Sequence, residues 1–521
     1  MATIPVLIGG GVSTEAGPSY AAAPSDAGLS VPWLIDCNNA VFNLDGWPQK
    51  APGAAKVNSS TTGASDHVLG MYDYWKSGTS GSPTQQRIIY SGTAFYRESG
   101  GTLTSIATGW ESGKMPWFEV VNDDLIVTTT STVDVPSTWD QSSFGALGGT
   151  PPNFSVAVYH KTRTFAFGVP SAQSRLYYTV AENHEDWVGA GSGAIDIAPN
   201  DGSVITGIYS HKDELLIFKG GGRFSIWRLT GSSPTGSDAF ALIPFIKGVG
   251  ATNQQSIVPL RDDLVFFDDF GIHSLVATAS YGDYNATFLS APITTWFNEM
   301  TNHTRFPYIW GANFAAKGYA LWTMAQAGSS TNNIVLHWDY RFDPPRFAFW
   351  PMAAVGSLAM MKDTNQLPTP WAGTYTGYVL RLNQSQRNWA GAAYTHKTLL
   401  PYLGFGDAWF DKELLGVRIG YKPKGESTFT FGWQRDGNAQ QTVTLDQTGS
   451  GDTLGPSSDP FTLDTSTLGG GRYEQVFKDC SGQFKEVQFE LNQATLDVDF
   501  EPHSLALEVE GTGRGAVAVP G

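Results

Sequence analysis

The sequence predicts an all-β chain: a β-propeller of six or seven blades followed by a C-terminal β-sandwich. Three observations predict it. The first is a repeated unit, an acidic tight turn followed by a short apolar run. It is written as Asn122-Asp123-Asp124-Leu125-Ile126-Val127, as Lys212-Asp213-Glu214-Leu215-Leu216-Ile217-Phe218, and as Arg261-Asp262-Asp263-Leu264-Val265-Phe266-Phe267. The last two copies continue into a second turn and strand, Gly220-Gly221-Gly222-Arg223-Phe224-Ser225-Ile226-Trp227 and Asp268-Asp269-Phe270-Gly271-Ile272-His273-Ser274-Leu275. Glu214 and Asp263, equivalent in the two copies, stand 49 positions apart. A period of roughly 40 to 50 residues with several strands per repeat marks propeller blades. The second observation is composition: 13% aromatic and only 15% charged, against about 25% charged in ordinary soluble domains. Gly, Ser, Thr, Asn and Pro fill the gap, as a turn-rich β protein requires. The third is that no stretch holds a 3.6-residue apolar period over four turns, so long amphipathic helices are not expected.

In chain order, residues 1–55 read as an N-terminal arm and lead-in. Residues 1–30 are rich in Ala, Gly, Ser and Pro, too poor in large apolar groups to fold alone, and are expected to order only against a partner. Asp45-Gly46 signals a hairpin turn. Residues 56–395 read as the propeller. His67 to Tyr74, Ile88 to Tyr96 and Leu103 to Ile106 form one unit; Trp117 to Thr129 belongs to the next; Phe154 to Phe167 with Ser174 to Tyr178 makes a third. The clearest units follow at 204–229 and 255–278. Tyr308 to Met324 with Ile334 to Trp338, and Ala354 to Met361 with Gly377 to Arg381, complete the series. Residues 396–521 change texture. Leu414 to Tyr421, Ser427 to Trp433, Gln441 to Leu445, Lys485 to Leu491 and Ser504 to Glu510 alternate, as strands with one wet face do. The Gly/Ser/Thr/Asp-rich stretch 446–470 reads as a mobile loop.

Charge narrows the function. The chain carries 32 basic against 48 acidic residues, a net −16, with no Lys/Arg cluster. A protein that grips DNA through phosphates needs a basic face, so tight nucleic-acid binding is not expected. Cys37 and Cys480 read as two buried, reduced thiols. The N-terminus lacks the basic n-region of a signal peptide, and no run approaches the ~20 apolar residues of a transmembrane helix. The expectation is synthesis in the cytoplasm and exposure through assembly.

Catalytic signals are sparse. There is no phosphate-cradling G-x-x-x-x-G-K-[ST] and no G-x-S-x-G elbow. Gly220-Gly221-Gly222 lies between strands and reads as a turn. His184-Glu185-Asp186 is the densest titratable group but lacks the converging ligands of a metal site, and reads as a loop. The pairs Asp268 and Asp269, Asp262 and Asp263, and Asp123 and Asp124 invite comparison with the two carboxylates of a glycosidase. Their recurrence at equivalent repeat positions favours turn-capping instead. The S-x-D-x-G-x-x-W box of sialidase-type propellers and the Gly-His…Trp-Asp pairing of WD repeats are absent. Trp227, Trp310, Trp322 and Trp338 fall inside strand patterns and read as core. No catalytic, cofactor-binding or metal-binding residue is assigned, no cofactor is expected, and the chain is read as not an enzyme.

Four stretches carry a resemblance: Asn43-Leu44-Asp45-Gly46-Trp47-Pro48-Gln49-Lys50-Ala51-Pro52-Gly53; Asp124 to Thr129 with Val135-Pro136-Ser137-Thr138-Trp139-Asp140; Ser174 to Tyr178 through Glu182 to Trp187; and Leu215 to Trp227, Lys247-Gly248-Val249-Gly250-Ala251 and Asp263 to Leu275. They resemble the propeller-bearing tail nozzle, or tail tube, proteins of short-tailed bacteriophages. The likeness covers about residues 30 to 300 and rests on pattern rather than on an invariant motif. It implies a structural virion protein, several copies forming a closed ring, six by analogy, below the connector, with genomic DNA passing through and not held. It implies connector and other tail proteins as partners, a place in the virion tail after assembly in the host cytoplasm, and no membrane insertion. Two rival classes stand beside it: a carbohydrate-active propeller, and a propeller that binds glycans or proteins on one face.

Overall fold

The computed structural model describes residues 2–6, 10–15, 33–63, 66–77, 82–261, 263–276, 288–404, 411–422, 427–447 and 473–511. The chain divides into two compact units, one of residues 56–335 and 353–382, the other of residues 1–55, 336–352 and 383–521.

The first unit is a β-propeller. Among the described residues seven antiparallel sheets follow one another along the chain. Four are four-stranded, beginning at Val68–Lys76, Pro116–Val121, Val156–His160 and Ser203–His211. The fifth has the strands Val258–Leu260, Asp263–Phe267 and Ile272–Ser274. The sixth begins with the hairpin Gly311–Phe314 and Tyr319–Met324, and the seventh has Val355–Lys362, Pro368–Thr374 and Val379–Gln384. First strands pack against their neighbours, and Val355–Lys362 returns to Val68–Lys76, which closes the ring. Closure is also pinned by the entering chain. Val57 N–H donates to the Val379 carbonyl at 2.8 Å, and Asn58 Oδ1 accepts Val379 N–H at 2.8 Å.

The repeated acidic unit is now explained. Asp124, Glu214 and Asp263 each open the second strand of a sheet, opposite Val121, His211 and Leu260. The preceding residues take left-handed backbone: Asn122 and Asp123 have φ of 51° and 69°, Lys212 53° and Arg261 45°. This is the hairpin turn whose twist matches that of paired strands. The third sheet turns the same way at Lys161 and Thr162, with φ of 44° and 69°.

Apolar residues of facing sheets fill the layers between them. Leu216, Phe218 and Ile226 of the fourth sheet meet Leu264 and Phe266 of the fifth. Polar side chains close the inner strand edges, whose backbone groups would otherwise stay unpaired. Gln254 takes both groups of Ile208, donating to its carbonyl and accepting its N–H, each at 2.8 Å. Trp117 donates from Nε1 to the Ala157 carbonyl at 2.6 Å. Trp310, Trp322 and Trp338 are buried, as their strand positions predict.

The second unit contributes strands to two further sheets. One has the order Ala2–Val6, Glu501–Gly511, Lys412–Lys422, Glu474–Phe484. The other runs Arg346–Trp350, Asp36–Asn38, His396–Leu399, Val487–Gln493, Thr428–Arg435, Gln441–Asp446. Tyr421 of the first sheet meets Phe429 of the second at 6.0 Å between ring centroids. Cys37 and Cys480 are buried and free. A hairpin joins Ala40–Phe42 to Pro48–Lys50, where the Asp45-Gly46 signal placed it.

Two expectations need correction. The first residues are not a bare arm, because Ala2–Val6 pairs along Leu505 to Val509 within the chain. Pro5 is compatible with that place because an edge strand leaves one row of N–H groups outside the ladder. The strands of the second unit also come from more than 396–521, since Asp36–Asn38 and Arg346–Trp350 are built in. Alternation reveals that a strand has one wet face, but not which distant strand pairs with it. Most of the stretch 446–470, read as a loop, lies outside the described residues.

A cleft between the fourth and fifth sheets

The propeller presents one cavity of about 560 Å³ in which several sequence features meet. It lies at the end opposite the acidic hairpins, between the turn after Glu214–Gly221 and the turn after Asp263–Phe267. Its wall includes Asp201, Gly221, Gly222, Arg223, Phe224, Trp227, Lys247, Asp269 and Phe270. Thus the glycine turn, the Asp268-Asp269 pair and Trp227, far apart in sequence, converge on one opening.

Each wall residue is placed by a definable local cause. Gly221 has φ of 95°, a region that disfavours side chains. A Cβ on Gly222 would lie 2.4 Å from the Gly202 carbonyl oxygen. The two positions therefore need glycine, and the backbone itself forms that wall. Asp201 is fixed beneath it. Its Oδ1 accepts Ser203 N–H at 2.9 Å and Ser203 Oγ–H at 2.6 Å, and Lys219 Nζ approaches both carboxylate oxygens at 3.0 Å. These donors outweigh partial burial and hold the Asp201 carboxyl below the usual carboxylate range. Lys219 is fully buried and also donates to the carbonyls of Ile197 and Ala198 at 2.7 and 3.0 Å.

The opposite wall is the turn Asp268 to Gly271. Asp268 is fully buried, and its Oδ1 accepts the N–H groups of Phe270 and Gly271 at 2.9 and 3.1 Å. Its Oδ2 stands 3.0 Å from His273 Nε2, also fully buried. This confirms a turn role for Asp268 and adds a buried partner invisible in the sequence. Asp269 takes no part in that network and is exposed. Desolvation first, then the Asp268 charge, raises its carboxyl above the usual range, with His303 opposing. Phe270 beside it is 51% exposed. Arg223 and Lys247 are exposed, and neither makes an ion pair or a side-chain hydrogen bond among the described residues. Trp227, read as core, is half-buried: it packs against the apolar layer between the third and fourth sheets and also lines the cleft. Sequence reasoning also missed Arg223 and Lys247. Their only signal was that they flank the two glycine turns, Gly220 to Gly222 and Gly248.

The other flagged residues do not converge here. His184 Nε2 is 3.6 Å from Asp124 Oδ2, and Glu185 and Asp186 accept backbone N–H groups of Gly148 and Gly189. These contacts brace loops. Among the described residues no three His, Cys, Asp or Glu side chains gather as a metal site. Near the inner strands Glu119 accepts Tyr159 N–H at 2.9 Å. Burial pushes its carboxyl up to about 7. Burial and the Glu119 charge together raise the phenols of Tyr72 and Tyr209, on the first strands of the first and fourth sheets.

No known protein family matches the chain. No curated protein matches it either. Solved structures do. The WD40 propeller domain of Doa1 aligns with 65% of this chain and 99% of its own, at 11% identity and a TM-score of 0.40. The N-terminal domain of Nup159 aligns with 64% and 99%, at 11% identity and 0.32. An exo-β-1,3-galactanase from Phanerochaete chrysosporium aligns with 91% and 99%, at 9% identity and 0.27. The propeller assignment accordingly stands on the chain's own sheets. The expectation that the chain is not an enzyme is corrected: several of the similar structures are glycoside hydrolases, and the expectation is withdrawn. Likeness at this level transfers no activity to the chain.

Proposed function

We propose that this chain is a structural subunit of the tail of a short-tailed bacteriophage, one of several copies in a closed ring through which genomic DNA leaves. The observation that carries the proposal is an edge. Strand Glu474–Phe484 is eleven residues long and stands last in its sheet, pairing with Lys412–Lys422 among the described residues. Along it Phe477 is 46% exposed, and Tyr473 just before it is 50% exposed. A long edge with exposed aromatic rings is a template for another strand, and proteins that stay monomeric blunt such edges. A repeated head-to-tail contact closes into a ring when its rotation divides the circle. The four stretches that resemble tail nozzle proteins include the 40–50 hairpin and the strands that follow the acidic turns of the second, fourth and fifth sheets. The net charge of −16 suits a conduit that releases its cargo.

The test is electron microscopy of the purified chain, alone and with particles of the phage that encodes it. Closed rings with a central hole are expected. Phe477→Lys, a gatekeeper charge on the edge, should return them to folded monomers. Monomers under both conditions, or particles complete and infectious without the chain, would sink the proposal.

A further inference from the structure

We infer that the cleft between the fourth and fifth sheets binds an acidic saccharide, a short chain of sugars bearing carboxylates. The inference goes beyond the ring assembly and does not depend on it.

Size, walls and charge each contribute. A cavity of about 560 Å³ lies within the ~300–1,000 Å³ of small-ligand sites. Phe224, Trp227 and Phe270 give it aromatic walls. The apolar C–H faces of a sugar ring cover such surfaces, while Phe270 at 51% exposure leaves apolar area in water when nothing is bound. Arg223 and Lys247 stand on the same wall without a partner among the described residues. The guanidinium fork suits a carboxylate in two parallel hydrogen bonds, and the ammonium supplies a second point charge.

The two carboxylates decide between ligand classes. Asp201 is held in place by Ser203 and Lys219, and Asp269 accepts no hydrogen bond among the described residues. Both are natural acceptors for hydroxyl groups. They repel a polyphosphate or a polyacidic peptide, which brings several negative charges and few hydroxyls. One or two carboxylates on a short chain of hydroxyl-rich sugars match two cations among two hydroxyl acceptors. The glycine wall at Gly221 and Gly222 adds no side chain that would narrow the opening.

The experiment titrates the full chain at neutral pH with three probes: trigalacturonate, a hyaluronate tetrasaccharide and a sialylated trisaccharide. Maltotriose and ATP serve as comparators, and tryptophan fluorescence and calorimetry are the readouts. At least one acidic probe should saturate with a Kd on the order of 1 mM or tighter. The double variant Arg223→Ala/Lys247→Ala should weaken it at least tenfold, and Phe270→Ala severalfold, with unfolding midpoints unchanged. These residues are exposed, so loss of binding is separable from loss of fold. The inference is overturned if no acidic probe saturates, if maltotriose or ATP binds as tightly, or if the double variant binds like the parent. Failure of ring formation leaves all of these outcomes unaffected.

Discussion

Asp263 and Asp269 flank one strand of the fifth sheet and live in different chemistry. Asp263, at the hairpin end, accepts Leu264 N–H at 2.7 Å, Val276 N–H at 2.9 Å and Ser274 Oγ–H at 2.6 Å. Asp269, at the loop end, accepts no hydrogen bond among the described residues and opens onto a cavity with two free cations. The same division runs through the fourth sheet. Glu214 pairs with Arg228 at 3.4 Å, while Arg223 at the other end has no partner among the described residues. Asp263 and Glu214, which recur with the repeat, are satisfied by their own chain; Asp269, which does not recur, accepts no hydrogen bond among the described residues. A charge satisfied by its own chain contributes stability, and an unsatisfied charge in a concave aromatic site is available to a ligand.

The comparison breaks or sharpens through five substitutions or titrations. The largest effect belongs to Lys219, which lies fully buried under the cleft. Lys219→Ala removes a fully buried ammonium that holds the partly exposed Asp201 and the carbonyls of Ile197 and Ala198, and should cost about 3 kcal/mol in urea unfolding; a change near zero would show that Asp201 does not need it. Asp268→Ala leaves two turn N–H groups unsatisfied and should cost about 2 kcal/mol by the same measurement. Asp263→Ala loses three hydrogen bonds at a half-buried position and should cost about 1 kcal/mol. That exceeds the ~0.5 kcal/mol of a benign surface substitution. Asp269→Asn should leave stability within about 0.5 kcal/mol while changing saccharide binding. A cost like that of Asp263→Ala would erase the contrast between the two ends.

The fifth probe is pH. Burial raises the Glu119 carboxyl to about 7 in the fold, against about 4.3 in an unfolded chain. The folded state therefore keeps a proton that the unfolded state releases. The resulting stability is fully present below the unfolded value and is lost as pH rises through about 7. Glu119→Gln should lose the parent's fall in stability over that window in chemical unfolding measured at several pH values. An identical pH dependence in parent and variant would remove Glu119 from the account.

The sequence by itself determined the strands and the hairpins. Left-handed turn positions such as Asn122-Asp123 and Lys212 are set by residues next to one another, and an apolar run after each turn specifies a buried strand. The repeat then predicts sheets in series, because each sheet can bury its faces only against the next. Tertiary structure decided everything that joins distant residues. Asp36–Asn38 and Arg346–Trp350 enter one sheet across more than 300 positions, through backbone ladders that no side-chain pattern encodes. Ala2–Val6 looked like an arm because its own composition cannot bury it, yet a partner strand at 505–509 does. The cleft arose in the same way. Asp201, Arg223, Trp227, Lys247 and Asp269 carry no spacing rule, since loops are constrained by the sheets that hold their ends and not by a period of their own.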